Sequence, residues 1–171
     1  QPKYWGKRSL DYLWYGIGAL LKKNPQYRYL FGPVSISDRY STEAKDLLIY
    51  FYRHYFGVEN RPANALNPYH LSEQAVNELS SLFDGDDYKA DFLVLKAKLT
   101  ELGYSVPTLY KQYADICEPG GVIFSDFNID PDFSDCVDGF VIVDTEMAKA
   151  SKRKRYMGEK VTAVQKLDAA A

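Results

Sequence analysis

Two short runs near the C-terminal end of the sequence constrain its fold most. VIFSDFNI (122–129) and GFVIVD (139–144) are rich in β-branched and aromatic residues, and the polar stretch DPDFSDCVD (130–138) separates them. Such composition is typical of strands, and a connection of this length permits antiparallel neighbours. The sequence therefore predicts an antiparallel pair with a long connection.

Helical periodicity dominates the chain before this pair. After Ser9, a suitable N-cap, six apolar residues recur at three- and four-residue spacing up to Asn24-Pro25. This stripe comprises Leu10, Leu13, Trp14, Ile17, Leu20 and Leu21. Four further helices are predicted in TEAKDLLIYFYRHYF (42–56, with Gly57 at the C-cap), LSEQAVNELSSLF (71–83), DYKADFLVLKAKLTEL (87–102) and VPTLYKQYADI (106–116, with Pro107 at the first helical position).

Between the first two helices lies YRYLFGPVSIS (27–37), which is short and rich in aromatic and β-branched residues. It predicts a buried strand that is interrupted or bulged at Gly32-Pro33. The turn-rich segment ENRPANALNPYH (59–70) predicts a loop. Strands and helices thus alternate, which favours an α/β fold.

Composition limits the class of protein. With 171 residues, 46% of them hydrophobic and 26% charged, the chain is long enough for one domain with a buried core. The sequence contains neither an apolar run long enough to span a membrane nor a secretory signal pattern, so we expect a cytoplasmic location, with contact to a membrane surface left open. Cys117 and Cys136 are far apart and are expected to be free thiols.

Charge is distributed unevenly, although the net charge is only -2. The first 28 residues contain six Lys or Arg and one acid, Asp11, whereas 118–146 contains acids and neither Lys nor Arg. The run KRKR (152–155) restores positive charge, and its ordinary interpretation is a solvated helix face. Within the acidic stretch, solvated loop positions are expected for Asp130, Asp132, Asp135 and Asp138.

Several function classes are disfavoured. The sequence has no GxSxG, Walker or HExxH motif, and its acids do not have EF-hand spacing, so serine hydrolases, NTPases, zinc proteases and calcium sites lose support. For the same reason we expect no metal site. We also expect no nucleic-acid partner, because basic and aromatic residues are not interleaved as in RNA-binding motifs.

The start of the chain, QPKYWGKRSLDYLWYGIG, predicts an anion site. Gly6, Lys7 and Arg8 lead directly into the helix that begins near Ser9, where unpaired N–H groups and the helix dipole attract phosphate. A solvated basic turn is the alternative interpretation of the same residues.

This opening resembles the acyl-carrier-binding loop and helix of the GNAT acyltransferase superfamily, although Lys3-x-x-Gly6-x-Arg8 departs from the usual glycine pattern. It is similar to the ornithine-acyl-ACP N-acyltransferase branch, whose members are often labelled hemolysin-like. The similarity continues through LFGPVSIS, YFYRHYFGV, VPTLYKQYADICEPGGVIFSDFN and GFVIVD, over most of residues 1–145.

The resemblance implies an α/β fold with a GNAT-like (acyl-CoA N-acyltransferase-like) mixed sheet and flanking helices. Residues 1–158 would form the C-terminal portion of that domain, with a helical insertion at about 60–105 and a tail at 159–171. The N-terminal strands of the superfamily, which supply its oxyanion donors and usual general base, are expected to be missing from these residues.

The resemblance also assigns roles to residues. Tyr52, in a Phe-Tyr motif before Gly57, would donate a proton to the departing thiolate, with packing as the alternative in a chain of 15 tyrosines. Gly6, Lys7, Arg8 and Ser9 would bind the phosphate of the acyl-phosphopantetheine co-substrate, with no tightly bound cofactor. Asp126 and Asn128 would bind the acceptor.

The implied reaction is transfer of a fatty acyl group from acyl carrier protein, or CoA, to the amine of an amino acid, as in ornithine-lipid-type synthesis. The basic N-terminal region suits the acidic surface of acyl carrier protein. A noncatalytic GNAT-like module that binds an acyl carrier or a membrane surface is the alternative.

Overall fold

The computed structural model describes residues 9–158, which form helices and strands in alternating groups. The helices are α1 (Ser9–Lys23), α2 (Thr42–Phe56), α3 (Glu73–Leu82), α4 (Tyr88–Glu101), α5 (Thr108–Ala114) and α6 (Ala150–Met157), and the strands are β1 (Tyr29–Ile36), β2 (Val122–Asp130) and β3 (Cys136–Asp144). Short 3-10 helices, Pro131–Phe133 and Thr145–Met147, lie before and after β3.

The described strands form one antiparallel sheet in the order β1-β3-β2. The predicted antiparallel pairing of the two C-terminal runs is confirmed, since β2 pairs with β3 from Val122↔Val143 to Asp130↔Cys136. β1 adds on the other side of β3, from Tyr29↔Asp144 to Ile36↔Val137. An α/β arrangement is therefore observed, whereas the mixed sheet and the GNAT-like topology stay predictions.

Two expectations for β1 are wrong. The strand pairs without interruption through Gly32 and Pro33, because an edge strand can accommodate a proline whose missing N–H faces away from its neighbour. The strand is also half-buried rather than buried, with Tyr29, Phe31 and Pro33 exposed on one face. The register shift in the sheet occurs instead in β2, between Phe124 and Phe127.

The predicted helices are present. α2 has the predicted bounds, and the Ser41 hydroxyl accepts a hydrogen bond from the N–H of Ala44 in its first turn. Gly57 is its C-cap, as expected, although in an extended conformation. Pro107 precedes α5 as its N-cap instead of occupying its first helical position.

The core lies between one face of the sheet and the helices. Val34, Val137 and Val141 contribute from the strands, and Phe51 and Leu95 contribute from α2 and α4. Because side chains alternate along a strand, the side chains between these residues point to the opposite face of the sheet, away from these helices.

α1 packs on α6 rather than entering the core fully. Trp14 is buried, and its indole N–H donates to the Gln112 side chain at 2.6 Å. The predicted apolar stripe is only partly buried, however, because Leu13 and Leu20 are 65% and 50% exposed. Helical spacing defines the apolar side of α1 but not how much of that side a neighbour covers.

Two glycines of α1 provide a matched test of this packing. A Cβ at Gly18 would overlap the backbone carbonyl of Tyr156 in α6, with the carbonyl carbon 2.7 Å away, whereas a Cβ at Gly16 would meet nothing within 4 Å. We expect Gly18→Ala to lower the free energy of unfolding by about 1–3 kcal/mol. Gly16→Ala should raise it by up to about 1 kcal/mol through helix propensity. Urea denaturation of both variants measures the difference, and equal effects would contradict the α1–α6 contact.

Candidate functional site

The face of the sheet away from the helices carries a cavity. Alternate residues of β1 and β3, including Phe31, Pro33 and Phe140, point to this face and are exposed or half-buried. A cavity of about 380 Å³ lies there. It is lined by Pro33, Ala63, Asn64, Ala65, Leu66, Asp126, Asn128, Asp138 and Phe140, so apolar walls surround a few polar groups, as in many small-molecule sites.

One wall of the cavity is the segment 63–69, which lies along the outer edge of β2. The N–H of Tyr69 donates to the carbonyl of Phe127 at 2.9 Å, and the N–H of Ile129 donates to the carbonyl of Asn67 at 2.8 Å. This segment therefore continues the sheet beyond β2, although it was predicted as a loop and has no regular strand of its own.

Side chains of β2 complete the attachment. The Ser125 hydroxyl accepts from the N–H of Ala63 at 3.0 Å and donates to its carbonyl at 2.6 Å. The side-chain carbonyl of Asn128 accepts from the N–H of Asn67 at 2.8 Å. Ser125 lies within the register shift of β2, where an extra residue allows consecutive side chains to contact the same neighbouring segment.

Asp126 is the buried charge of the site, with an exposed fraction of 5%. Its carboxylate accepts hydrogen bonds from the N–H groups of Ala65 at 3.0 Å and Phe127 at 2.9 Å. Arg61 and Arg53 approach it to 3.1 Å and 3.4 Å. Burial alone would raise the pKa of Asp126, but these N–H groups and cations outweigh it and lower that pKa below its usual value.

These contacts give Asp126 the role of holding the 63–69 segment in place. Both of its oxygens are engaged by protein groups, and the amide of Asn128 is engaged by Asn67 and by the carbonyl of Ile129. Both residues line the cavity, so their predicted contact with an acceptor stays a prediction.

Tyr52 lies in the aromatic core, on the opposite side of the sheet from the cavity. Its side chain is fully buried, and its ring contacts Phe56, Tyr110 and Phe124 at centroid distances of 4.9–5.7 Å. Within residues 9–158 its hydroxyl has no hydrogen-bond partner, and burial raises its pKa above the usual value. Its role as a proton donor stays a prediction, and packing describes what the ring does here.

Tyr52 and Tyr110 allow a buried hydroxyl without a hydrogen-bond partner to be compared with one that donates a hydrogen bond. Tyr110 donates its hydroxyl to the carbonyl of Val34 at 2.9 Å, whereas the hydroxyl of Tyr52 is buried without a partner. We expect Tyr52→Phe to leave the free energy of unfolding unchanged or to raise it by about 1 kcal/mol, and Tyr110→Phe to lower it by about 1–2 kcal/mol. Thermal unfolding compares the two. A large loss for Tyr52→Phe alone would show that its hydroxyl is bonded.

The predicted phosphate-binding residues Gly6, Lys7 and Arg8 lie outside the described residues, and Ser9 is the first residue of α1. The basic run 152–155 lies in α6, where Lys152 pairs with Asp115 at 2.7 Å and Arg155 pairs with Asp11 at 2.8 Å. Lys22 and Lys23 of α1 are exposed. Part of the positive charge near the N-terminus therefore lies on the surface.

Three residues of the site were not found from the sequence. Arg53 and Arg61 are distant in sequence from Asp126, and no local pattern links them. Asp138 was expected in a solvated loop, but it lies within β3, opposite Ser35 of β1 and Asn128 of β2. Burial alternates along β3, but the sequence gives no clear signal for this placement, because apolar residues such as Phe140 and Ile142 lie on the same face as Asp138.

Among residues 9–158, no three His, Cys, Asp or Glu side chains are close enough to hold a metal ion together. None of the helices in the described part of the chain is long and apolar enough to span a membrane.

Comparison with known proteins gives two curated relatives. The chain is 28% identical over 152 residues to the glycine N(alpha)-acyltransferase of Bacteroides thetaiotaomicron, covering 89% of this chain and 44% of that protein. It is 31% identical over 111 residues to the glycine N(alpha)-acyltransferase of Phocaeicola vulgatus, covering 65% of this chain and 34% of that protein. The chain thus spans less than half the length of either relative. No protein-family model matches it, and no solved structure matches it significantly.

Proposed function

We propose that this chain forms part of an N-acyltransferase that moves an acyl group from a thioester to the amine of an amino acid. The observation that carries the proposal is the similarity to two proteins of the same name, one of which aligns with 89% of the chain. The cavity on the uncovered face of the sheet supports it, because it is large enough for a small amino acid and has polar groups among apolar walls.

The reaction requires few chemical groups. The amine nitrogen attacks the thioester carbonyl carbon, the C–N bond forms, the C–S bond breaks, the nitrogen loses a proton and the departing thiolate gains one. Thiolates are good leaving groups, since a thiol has a pKa of about 8.5. Most of the acceleration would therefore come from holding the amine against the carbonyl and from stabilising the oxyanion.

The proposed donor is an acyl-phosphopantetheine, carried by acyl carrier protein in preference to CoA. Gly6, Lys7, Arg8 and Ser9 would bind its phosphate, and the exposed Lys22 and Lys23 would favour the acidic surface of a carrier protein. Glycine is the first acceptor to test, because the relatives carry its name. Ornithine is the second, because the sequence resembles the ornithine-lipid branch.

The test uses the full-length protein with acyl carrier protein or CoA thioesters as donors and glycine or ornithine as acceptors. Mass spectrometry of the N-acyl amino acid identifies the product. We expect Lys7→Ala/Arg8→Ala to raise the KM for the carrier-protein donor about 10- to 100-fold, because a hydrogen bond to a charged group contributes about 1.5–3 kcal/mol. Lys89→Ala/Lys96→Ala, on the exposed side of α4, is the matched control and should leave it unchanged.

Two outcomes would contradict these assignments. If no donor and acceptor pair gives an N-acyl product while the protein still binds an acyl carrier, the noncatalytic module replaces the transferase. If the Lys7/Arg8 variant keeps the wild-type KM for the carrier protein, the phosphate site lies elsewhere.

A further inference from the structure

Asp138 presents a carboxylate oxygen that the fold does not satisfy. Its Oδ1 atom is enclosed and has no hydrogen-bond partner within the described part of the chain. Asp138 lines the cavity on the uncovered face of the sheet. A buried polar atom without a partner is costly, so a fold that retains one gives reason to look for a ligand.

The side chains of Asp126 and Asn128, which also line the cavity, are already engaged. Asp126 pairs with Arg53 and Arg61 and accepts hydrogen bonds from backbone N–H groups, and the amide of Asn128 is bonded through both its oxygen and its nitrogen. Among the cavity residues in the described range, Asp138 is the one with an enclosed side-chain acceptor that has no partner. Its neighbours across the sheet, Ser35 and Asn128, carry no charge.

We propose that Asp138 binds the amino group of a small amino-acid acceptor in this cavity. An ammonium group has donors but no acceptor, and it matches the carboxylate of a residue that lines the cavity and keeps one oxygen without a donor. The inference rests on the proposed function for the identity of the ligand, whereas the preference for a cation follows from the site.

Binding without a donor tests the site directly. Glycine, methylamine and acetate are titrated into the full-length protein and followed by NMR. Asp138→Asn keeps the shape of the side chain but removes its charge. We expect it to weaken the binding of glycine and of methylamine at least tenfold and to leave the binding of acetate unchanged. Asp132→Asn, in the exposed 3-10 helix before β3, is the matched control and should bind all three as the wild type does. Thermal unfolding checks that both variants are folded.

A kinetic measurement separates this inference from the proposed function. With acyl transfer established, Asp138→Asn should raise the KM for glycine at least tenfold and leave the KM for the acyl donor unchanged. If acyl transfer occurs and the KM for glycine does not change, the amine site is wrong and the transferase stands. If no acyl transfer occurs but the binding of glycine and methylamine still depends on Asp138, the amine site is supported and the proposed transferase activity is wrong. Unchanged amine binding by Asp138→Asn overturns the inference in either case.

Discussion

Replacing Asp126 with alanine is expected to lower the free energy of unfolding by about 2–4 kcal/mol, because two N–H groups lose a buried, charged acceptor and two partly exposed arginines lose their ion pair. Arg53 and Arg61 would lose the carboxylate that neutralises them, and the N–H of Ala65 would lose its acceptor. The 63–69 segment should then detach from β2 before the core unfolds. Urea denaturation measures the loss, and hydrogen exchange at Asn67 and Tyr69 measures the detachment.

The controls separate charge from position. Asp132→Ala, at an exposed position beyond the end of β2, should change the free energy of unfolding by less than about 0.5 kcal/mol. Asp126→Asn keeps an acceptor for the N–H groups but removes the charge. Its loss in free energy of unfolding should therefore lie between those of Asp132→Ala and Asp126→Ala. If Asp126→Ala is as stable as Asp132→Ala, the arginines do not depend on this carboxylate.

The same carboxylate should give a characteristic pH dependence. The pKa of Asp126 is lower in the folded protein than in the unfolded chain, because its N–H and arginine contacts outweigh its burial. Its contribution is therefore fully present above the unfolded value of about 3.9 and is lost as the pH falls through the folded pKa. The stability difference between wild type and Asp126→Ala should be constant above about pH 5 and should shrink below about pH 4. A difference that grows on acidification would reverse the sign of this shift.

The sequence predicts the elements of this fold better than their surroundings. α2 has the predicted bounds because its apolar period, its acidic first turn and Gly57 all indicate the same helix. The β2–β3 pair follows from composition and the length of the connection. By contrast, Gly32-Pro33 predicted a bulge, because the sequence does not reveal that β1 lies at the edge of the sheet formed by the described strands, where proline is tolerated.

The candidate site was predictable only in part, for a related reason. Asp126 stands out locally in FSDFN, but its partners Arg53 and Arg61 reach it through tertiary packing. Asp138 was assigned to a solvated loop because the acidic residues 130–138 suggest one, although β3 already begins at Cys136. Long-range charge pairs and strand boundaries depend on contacts that a single sequence does not display.

Phe51→Ala should show where the fold depends on packing. Phe51 is fully buried, and its ring lies 4.8–5.9 Å from those of Tyr52, Tyr55, Phe83, Tyr88 and Phe92, so it joins α2 to α4 and to the end of α3. We expect Phe51→Ala to lower the free energy of unfolding by about 3–5 kcal/mol through the cavity that it leaves. Urea denaturation measures this loss.

Phe31→Ala removes the same side chain from the uncovered face of the sheet. Phe31 is 72% exposed and contacts Phe140 at a centroid distance of 5.9 Å, so its replacement should change the free energy of unfolding by less than about 0.5 kcal/mol. A loss as large as that of Phe51→Ala in the full-length protein would mean that another part of the protein packs on this face. That part would then form a further wall of the cavity beside Pro33 and Asp138.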